Sequence, residues 1–243
     1  MIERVVVTGA SSGIGAACVE LFQTEGAEVL GLDILDSSSA DDHLQVDLAL
    51  PDCGERLLRF CGDRHVDVLI NNAGFGKGGA FVNFPVEAYE QMITLNAASL
   101  TSLTRLCLPG MIERGSGGVL NVASVAGFMP IPYFSVYAAT KAFVLSFSEA
   151  LHAEIKGTGV HVSCLAPGPT ETGFATAADM KQVVGGPVET AEKVAKLGLD
   201  ALSRNKRTAI SGAYNRVQAL SSRFVPRKLS MAISEWYMKG AEK

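Results

Sequence analysis

The sequence predicts an α/β fold, with a doubly wound parallel sheet of about seven strands and helices on both faces. Short runs rich in β-branched residues alternate with longer helical stretches, which is typical of βαβ units. The strand runs are almost continuously apolar, as expected for strands that are covered on both faces. The chain shows no internal repeat and no linker. We therefore expect residues 1–243 to form one domain.

The individual elements follow from the same pattern. Predicted strands occupy residues 2–8, 28–33, 44–47, 66–70, 118–123, 160–166 and 207–211. Predicted helices occupy residues 13–24, 52–61, 86–114, 135–156 and 189–203. The polar stretch 36–42 is expected to be a short loop, and a helical extension is expected from about residue 213.

Composition excludes several classes of function. A net charge of −4 gives no general reason to expect binding of nucleic acid. No apolar run approaches the roughly 18 residues of a transmembrane segment, and the amino terminus enters a strand too early for a secretory signal. Five widely spaced cysteines without a CxxC pair argue against a disulfide framework and against a metal site. A reducing, cytoplasmic location is therefore expected.

The carboxyl-terminal tail differs in charge from the rest of the chain. Residues 203–243 contain nine Lys or Arg and two Glu, and Leu229, Ile233 and Trp236 recur there at helical spacing. The favoured interpretation is a helix docked on the domain, with its charges in solvent. Two functional interpretations remain open, a lid over a substrate cleft and a basic surface for an anionic partner.

A glycine-rich segment, Thr8-Gly9-Ala10-Ser11-Ser12-Gly13-Ile14-Gly15, joins the first predicted strand to the first helix. Gly9 permits a tight turn, Gly13 permits close approach of a pyrophosphate, and Gly15 lets the helix pack tightly on the sheet. The helix amino terminus offers free amides and a positive dipole to phosphates. A glycine turn without ligand is the alternative, but the strand–helix context favours a Rossmann-type dinucleotide site. Its candidate residues are Gly9, Ser11, Ser12, Gly13, Ile14 and Gly15.

Asp33 at the end of the second predicted strand is the candidate selector of the cofactor. A carboxylate at this place accepts hydrogen bonds from the adenosine ribose hydroxyls and repels a 2′-phosphate. The sequence has no Lys or Arg between Arg4 and Arg56 that could neutralise such a phosphate. We therefore expect NAD(H) in preference to NADP(H).

Four polar residues form a candidate catalytic set. Tyr137 and Lys141 stand four apart in a predicted helix and so share one face. Ser124 follows a predicted strand thirteen residues before Tyr137, and Asn96 lies in the long predicted helix. An amphipathic helix with snorkelling side chains would explain Tyr137 and Lys141 alone. We reject that interpretation because it leaves Ser124, Asn96 and the glycine loop as coincidences.

Taken in order, these motifs resemble the short-chain dehydrogenase/reductase family. The resemblance covers about the first 175 residues, and the ordered set is far more specific than any one motif. The matching positions are Thr8–Gly15, Asp33, Asp47, Asn71–Gly74, Asn96, Ser124, Tyr137, Lys141 and Pro167-Gly168.

The resemblance implies roles for these residues. Tyr137 would be the general acid of carbonyl reduction and the base of alcohol oxidation. Lys141 would hold the nicotinamide ribose, and a cation about 4 Å from Tyr137 would lower its pKa by about three units. Ser124 would bind the substrate oxygen, and Asn96 would order a water that relays protons. The remaining cofactor-binding positions would be Asp47, Leu48, Asn72, Ala73, Gly74, Pro167, Gly168, Thr170 and Thr172.

The sequence thus predicts an NAD(H)-dependent oxidoreductase that interconverts a ketone and a secondary alcohol on a lipophilic small molecule. The apolar pocket is expected from Phe75, Val125, Phe128, Met129, Pro130, Ile131, Tyr133, Phe134 and Phe174. Segment 172–186 resembles the family's mobile lid. The alternatives are a 3-oxoacyl thioester reductase and a non-catalytic NAD(H)-binding sensor or scaffold. By resemblance the protein is expected to be a homodimer or homotetramer.

Overall fold

The computed structural model describes residues 2–62, 64–178, 186–222 and 224–241, and in the last helix it describes only some side chains. Residues 179–185 of the segment predicted to be a lid, and the side chains of Trp236 and Lys239, lie outside the described residues. Within them the strands are β1 (Arg4–Thr8), β2 (Glu28–Asp33), β3 (Asp42–Gln45), β4 (Val68–Asn71), β5 (Gly117–Val122), β6 (Val160–Ala166), β7 (Thr170–Glu171), β8 (Glu189–Thr190) and β9 (Thr208–Ile210). The α-helices are α1 (Gly13–Thr24), α2 (Cys53–Cys61), α3 (Val86–Ile93), α4 (Leu100–Arg114), α5 (Ser135–Glu154), α6 (Phe174–Ala177), α7 (Ala191–Ser203), α8 (Ala213–Ser221) and α9 (Arg227–Ala241).

Seven of these strands form one parallel sheet in the order β3-β2-β1-β4-β5-β6-β9, while β7 and β8 pair separately. Strand β1 is central, with Val6 opposite Leu30 on one side and Leu69 on the other. The chain builds the sheet outward from β1 in one direction and then returns to build it in the other. The carboxyl ends of β1 and β4 therefore border the crevice in which doubly wound folds bind ligands. The predicted fold class is confirmed.

The core consists of two layers on opposite faces of the sheet. Because strand side chains alternate between faces, Val5 and Val7 pack against α1 and α7, whereas Val6 packs against α2 and α4. Both layers are made mainly of Val, Leu and Ile with almost no exposed surface. This double coverage explains why the strand runs in the sequence are almost continuously apolar.

A row of buried amides and hydroxyls links the central strands to the helices behind them. Asn71 and Asn121 are opposite each other in β4 and β5, and the Asn71 side-chain amide donates to the Asn121 Oδ1 at 2.8 Å. Asn71 also donates to the Thr104 hydroxyl of α4, and Asn121 donates to the Ser148 hydroxyl of α5. The row fixes α5, which carries Tyr137 and Lys141, against the sheet.

The structure corrects several predicted boundaries. The long helix predicted over 86–114 is interrupted by a π-helical turn, Thr94–Ser99, between α3 and α4. The third strand starts at Asp42, two residues before its predicted start, because it is an edge strand with polar side chains. Residues 189 and 190 belong to β8, and α7 begins after Thr190, whose side chain accepts the Lys193 amide as an amino-terminal cap. The expected extension consists of α8 and α9.

Two structural features are absent from the described part of the chain. No helix there is both long enough and apolar enough to span a bilayer. Among the same residues no group of three or more His, Cys, Asp or Glu side chains is arranged to hold a metal ion.

Candidate active site

The glycine-rich turn between β1 and α1 has the backbone geometry that its sequence predicts. Gly9 and Gly13 have φ angles of +67° and +54°, which favour glycine. A Cβ on Gly15 would lie 1.9 Å from the Gly9 carbonyl oxygen, so the turn requires glycine there. The Asn72 side chain fastens the turn by donating to the carbonyls of Thr8 and Gly9. The amides at the start of α1 are thereby held at the crevice.

The turn after β4 forms the facing wall. The amides of Asn72 and Ala73 both donate to the Thr8 hydroxyl at 3.0 Å, which ties this turn to the end of β1. A Cβ on Gly74 would lie 2.9 Å from the Asn96 Oδ1 and 3.3 Å from the Lys141 Nζ. Gly74 therefore lets the main chain run directly over the side chains of Asn96 and Lys141.

Asn96 lies in the π-helical turn and is almost completely buried. Its Oδ1 accepts the Phe75 amide at 3.1 Å, and its Nδ2 donates to the Phe75 carbonyl at 2.9 Å and the Thr140 hydroxyl at 3.1 Å. The side chain thus positions the turn beside Lys141. Its role in ordering a water stays a prediction.

Tyr137 and Lys141 lie in α5, are 7% and 5% exposed, and both line one cavity. The Lys141 ammonium donates to the Val122 carbonyl at 2.8 Å and lies 5.7 Å from the centre of the Tyr137 ring. The aromatic rings of Phe134 and Phe174 pack on Tyr137 at 4.4 and 5.2 Å between ring centres. Ser124, just after β5, is near enough to Tyr137 to affect the pKa of the tyrosine, and its hydroxyl accepts the Ala126 amide at 3.1 Å. Three of the four predicted catalytic side chains therefore meet at one point.

Burial dominates the electrostatics of this pair. It raises the pKa of Tyr137 to about 12, with the hydrogen bond from Ser124 acting in the opposite direction. It lowers the pKa of Lys141 to about 8. The sequence predicts that Lys141 lowers the pKa of Tyr137. In the protein without a cofactor, burial raises that pKa instead. Desolvation by the two phenylalanine rings and the surrounding core outweighs the effect of Lys141.

A cavity of about 890 Å³ extends from the glycine turn past Tyr137 to the carboxyl-terminal helices. It is lined by most predicted site residues, namely Gly9, Ser12, Gly13, Ile14, Asp33, Asp47, Leu48, Asn72, Ala73, Gly74, Ser124, Tyr137, Lys141, Pro167, Gly168, Thr170 and Thr172. The predicted residues that do not line it are Ser11, Gly15 and Asn96. Gly15 and Asn96 lie behind the cavity wall. They pack against Gly9 and Gly74, which line the cavity.

The end of the cavity beside β2 is acidic. Asp33 accepts the Ser11 amide at 2.9 Å with one oxygen and the Leu35 amide at 3.1 Å with the other. These bonds fix the carboxylate at the cavity wall. Among the described lining residues, Lys141 is the only one with a basic side chain. Nearby, the Ser11 hydroxyl is buried without a hydrogen-bond partner in the described protein.

The opposite end of the cavity is predominantly apolar. Of the predicted pocket residues, Phe75, Val125, Met129, Ile131, Phe134 and Phe174 line it. Phe128, Pro130 and Tyr133 do not line it, and Phe128 faces a separate cavity of about 300 Å³ beside β9.

The wall contributed by the carboxyl-terminal helices is the main feature that the sequence argument missed. Its residues are Tyr214, Gln218, Ser221, Ser222, Val225, Ile233, Ser234 and Met238. Met238 belongs to the same hydrophobic cluster as Tyr137 and Phe134. Of the three interpretations of the tail, the structure therefore supports a helix that docks on the domain and covers the apolar end of the cavity. In the sequence, the helical spacing of apolar residues around Ile233 was the pattern that could have indicated this wall.

Comparison with known proteins agrees with this geometry. The family described as short chain dehydrogenase matches residues 3–182. The very-long-chain 3-oxoacyl-CoA reductase of Bos taurus is 34% identical over 182 residues, which cover 68% of this chain and 58% of that protein. The ketoacyl reductase HetN of Nostoc is 36% identical over 60% of this chain and 50% of its own length. The chain thus spans little more than half the length of these curated relatives.

Solved structures are similar over nearly the whole chain. A short-chain dehydrogenase from Sphingobium yanoikuyae, determined in complex with NADPH, has a TM-score of 0.80 and 31% identity, and the match covers 92% of this chain and 94% of that one. The bulky-bulky ketone specific alcohol dehydrogenase from Comamonas testosteroni has a TM-score of 0.76 and 26% identity, with 92% of both chains covered. Together with the family match, the likeness shows that this chain belongs to the short-chain dehydrogenase/reductase family.

Proposed function

We propose that the protein is an NAD(H)-dependent oxidoreductase that interconverts a ketone and a secondary alcohol on a lipophilic small molecule. One structural observation supports this proposal more strongly than any other. The buried Tyr137 and Lys141 and the half-buried Ser124 face the same cavity as the glycine turn, on the wall between its acidic and its apolar end. A dinucleotide bound on the turn would therefore present its nicotinamide to a substrate beside Tyr137.

The cavity fits such a cofactor in shape and chemistry. The close contacts at Gly9, Gly13 and Gly15 leave backbone rather than side chains facing the crevice, as a pyrophosphate requires. Asp33 would hold the adenosine ribose, Asp47 and Leu48 the adenine, and Lys141 the nicotinamide ribose. Asn72, Ala73, Gly74, Pro167, Gly168, Thr170 and Thr172 would complete the site. When bound, the cofactor supplies or accepts the hydride.

In the proposed reaction, side chains of this protein transfer the proton. In reduction, the carbonyl carbon gains a hydride and its oxygen gains a proton from the Tyr137 hydroxyl, while Ser124 donates a hydrogen bond to that oxygen. In oxidation, the Tyr137 oxygen receives the proton of the alcohol. Burial alone holds the Tyr137 pKa near 12, so the positive charges beside it must offset that effect during catalysis. The apolar wall excludes water from this exchange.

The preference for NAD(H) rests on the acidic end of the cavity. A 2′-phosphate would meet the Asp33 carboxylate, and Lys141 is too deep in the site to neutralise it. The Sphingobium relative was determined with NADPH, so membership of the family does not decide the cofactor.

A 3-oxoacyl thioester reductase is a second candidate, favoured by the names of the Bos taurus and Nostoc relatives. Its acyl chain would lie along Met129, Ile233 and Met238. A non-catalytic sensor would have no use for a buried Tyr137 that lines the same cavity as Ser124 and Lys141, and we do not favour it.

We further propose a cytoplasmic homodimer or homotetramer. Leu106 and Ile112 of α4 and Phe143 of α5 are large apolar side chains that remain exposed on the single chain. A second copy that paired with these helices would cover them.

Replacing Tyr137 by Phe tests the catalytic proposal. The variant lacks the hydroxyl that transfers the proton, so we expect turnover to fall by at least about a hundredfold while cofactor affinity changes less than about threefold. Activity is measured as NADH oxidation with bulky ketones and with 3-oxoacyl-CoA thioesters of increasing length. A variant that retained full turnover would contradict the assignment. Faster turnover of thioesters than of ketones would select the second candidate.

Replacing Asp33 by Ser tests the cofactor preference. We expect the wild-type protein to bind NADH at least about tenfold more tightly than NADPH, and the variant to lose most of that difference. Asp36→Ser, which removes an exposed carboxylate from the same acidic segment, should keep the wild-type preference. Tighter binding of NADPH by the wild-type protein would overturn the proposal.

The lowered pKa of Lys141 predicts a pH-dependent stability. Between about pH 8 and pH 10 the unfolded chain retains a proton that the folded chain has released, so this group makes the free energy of unfolding rise with pH. Relative to Lys141→Met, wild-type stability should increase by about 2 kcal/mol over that range in urea titrations. The difference between wild type and Lys156→Met, which replaces an exposed lysine, should stay constant. A constant difference for Lys141→Met as well would contradict the burial of its charge.

A further inference from the structure

We propose that His43 and Gln45 are positioning residues, whose side chains hold the main chain after Asp33 and thereby keep its carboxylate at the cavity. This inference rests on the proposed function, because that function places the adenosine ribose beside Asp33. Strand β3 carries both residues at the edge of the sheet, and loop 34–41 joins β2 to it. The loop contains no helix or strand, so contacts with neighbouring elements must fix its first residues.

The pairing of β3 with β2 places these side chains beside the loop. Gly31 is opposite His43 in the parallel register, and Asp33 is opposite Gln45. Because opposite residues of paired strands point to the same face, His43 and Gln45 share the face on which Asp33 lies. A Cβ on Gly31 would lie 2.8 Å from the Ser38 Oγ, so the loop packs directly on the main chain of β2.

Two hydrogen bonds run from β3 to the first two residues of the loop. The His43 Nε2 donates to the Leu35 carbonyl at 3.0 Å, and the Gln45 Nε2 donates to the Ile34 carbonyl at 3.1 Å. A carbonyl oxygen only accepts, so the proton of the neutral His43 ring is on Nε2. The Nδ1 then accepts the Ser38 hydroxyl at 2.9 Å. Both ring nitrogens have partners, which fixes the orientation of the ring.

The residue that His43 holds also orients the Asp33 carboxylate. The Leu35 amide donates to the Asp33 Oδ1 at 3.1 Å, and the Ser11 amide donates to the Oδ2 at 2.9 Å. A shift of Leu35 would therefore release one carboxylate oxygen. With the Ser11 amide as its remaining partner, the carboxylate would be free to turn, because its terminal torsion has no sharp preference of its own. His43 thus acts on Asp33 through Leu35.

The side chains of Ile34 and Leu35 give the loop a second link to the cavity. They are 63% and 54% exposed, and both line the cavity together with Asp33. Large apolar side chains beside a carboxylate suit an adenine ring next to its ribose, because the ring covers the apolar surface and the hydroxyls donate to the carboxylate. The conformation of the loop therefore affects both the affinity for the adenosine half and the selection against a 2′-phosphate.

The test separates the two halves of the cofactor. ADP-ribose carries the adenosine half, and reduced nicotinamide mononucleotide carries the other half. His43→Asn removes the Nε2 donor and keeps a polar group near the position of Nδ1. It should weaken ADP-ribose binding by about fivefold and change binding of the mononucleotide less than about twofold. The preference for NADH over NADPH should fall by a similar factor.

Two further variants separate the hydrogen bond from the size of the side chain. His43→Gln keeps a donor near the position of Nε2, so it should bind ADP-ribose within about twofold of the wild-type protein. Gln45→Leu removes the second donor at similar volume and should weaken ADP-ribose binding about as much as His43→Asn does. Gln23→Leu is the matched control, because the Gln23 Nε2 donates to the Ser39 carbonyl of the same loop at 2.9 Å, away from Asp33. It should keep the wild-type affinities for both halves.

Three results would overturn the inference. Wild-type affinity for ADP-ribose in His43→Asn would show that the bond to Leu35 does not matter for the adenosine half. Equal weakening of both halves would indicate a general effect on folding. Failure of His43→Gln to restore binding would show that the Nε2 donor is not the relevant group. A wild-type protein that bound neither NADH nor NADPH would contradict the proposed function itself, which distinguishes the two failures.

Discussion

The ammonium group of Lys141 lies inside the protein, where it donates a hydrogen bond to the Val122 carbonyl at the end of β5. Burial of a charged group is unfavourable in free energy. The neighbouring residues of the site must therefore leave room for this ammonium group and hold it in place. The π-helical turn carries Asn96 to the back of Gly74, whose missing side chain leaves room for the lysine. The row from Asn71 through Asn121 to Ser148 holds α5, which carries the lysine, against the sheet. Tyr137 shares this buried position.

The parallel sheet explains why these parts meet the glycine turn. Strands β1, β4, β5 and β6 all end at one edge of the sheet, and each contributes the residues that follow it. The turn after β1 is the proposed phosphate-binding turn, the turn after β4 passes over Lys141, and Ser124 follows β5. The turn after β6, which the proposed function places beside the nicotinamide, is held from behind by Ser211 and Asn215. The carboxyl-terminal helices then cover the apolar end, where the proposed function places the substrate.

Local patterns in the sequence were sufficient for the parts of the site that depend on local geometry. The glycine turn at Gly9–Gly15 and the pair Tyr137 and Lys141 are defined by spacing within one element, and both lie as predicted. The wall formed by Ile233 and Met238, and the hydrogen bond from the Gly168 amide to Ser211, depend on packing between distant segments, which no local pattern encodes. The raised pKa of Tyr137 was missed for the same reason, because it results from the tertiary packing of Phe134 and Phe174.

The ionisation of Tyr137 tests the account most directly. The chain has five tyrosines, so a carbon-13 label at their Cζ atoms gives five resonances, and the Tyr137→Phe spectrum identifies the relevant one. In the protein without cofactor we expect this tyrosine to remain protonated beyond pH 10.5. Saturation with NAD⁺ should lower its titration midpoint by at least about one unit, because an added positive charge favours the tyrosinate. A midpoint that is ordinary without NAD⁺, or that NAD⁺ leaves unchanged, would contradict Tyr137 as the buried proton donor of this site.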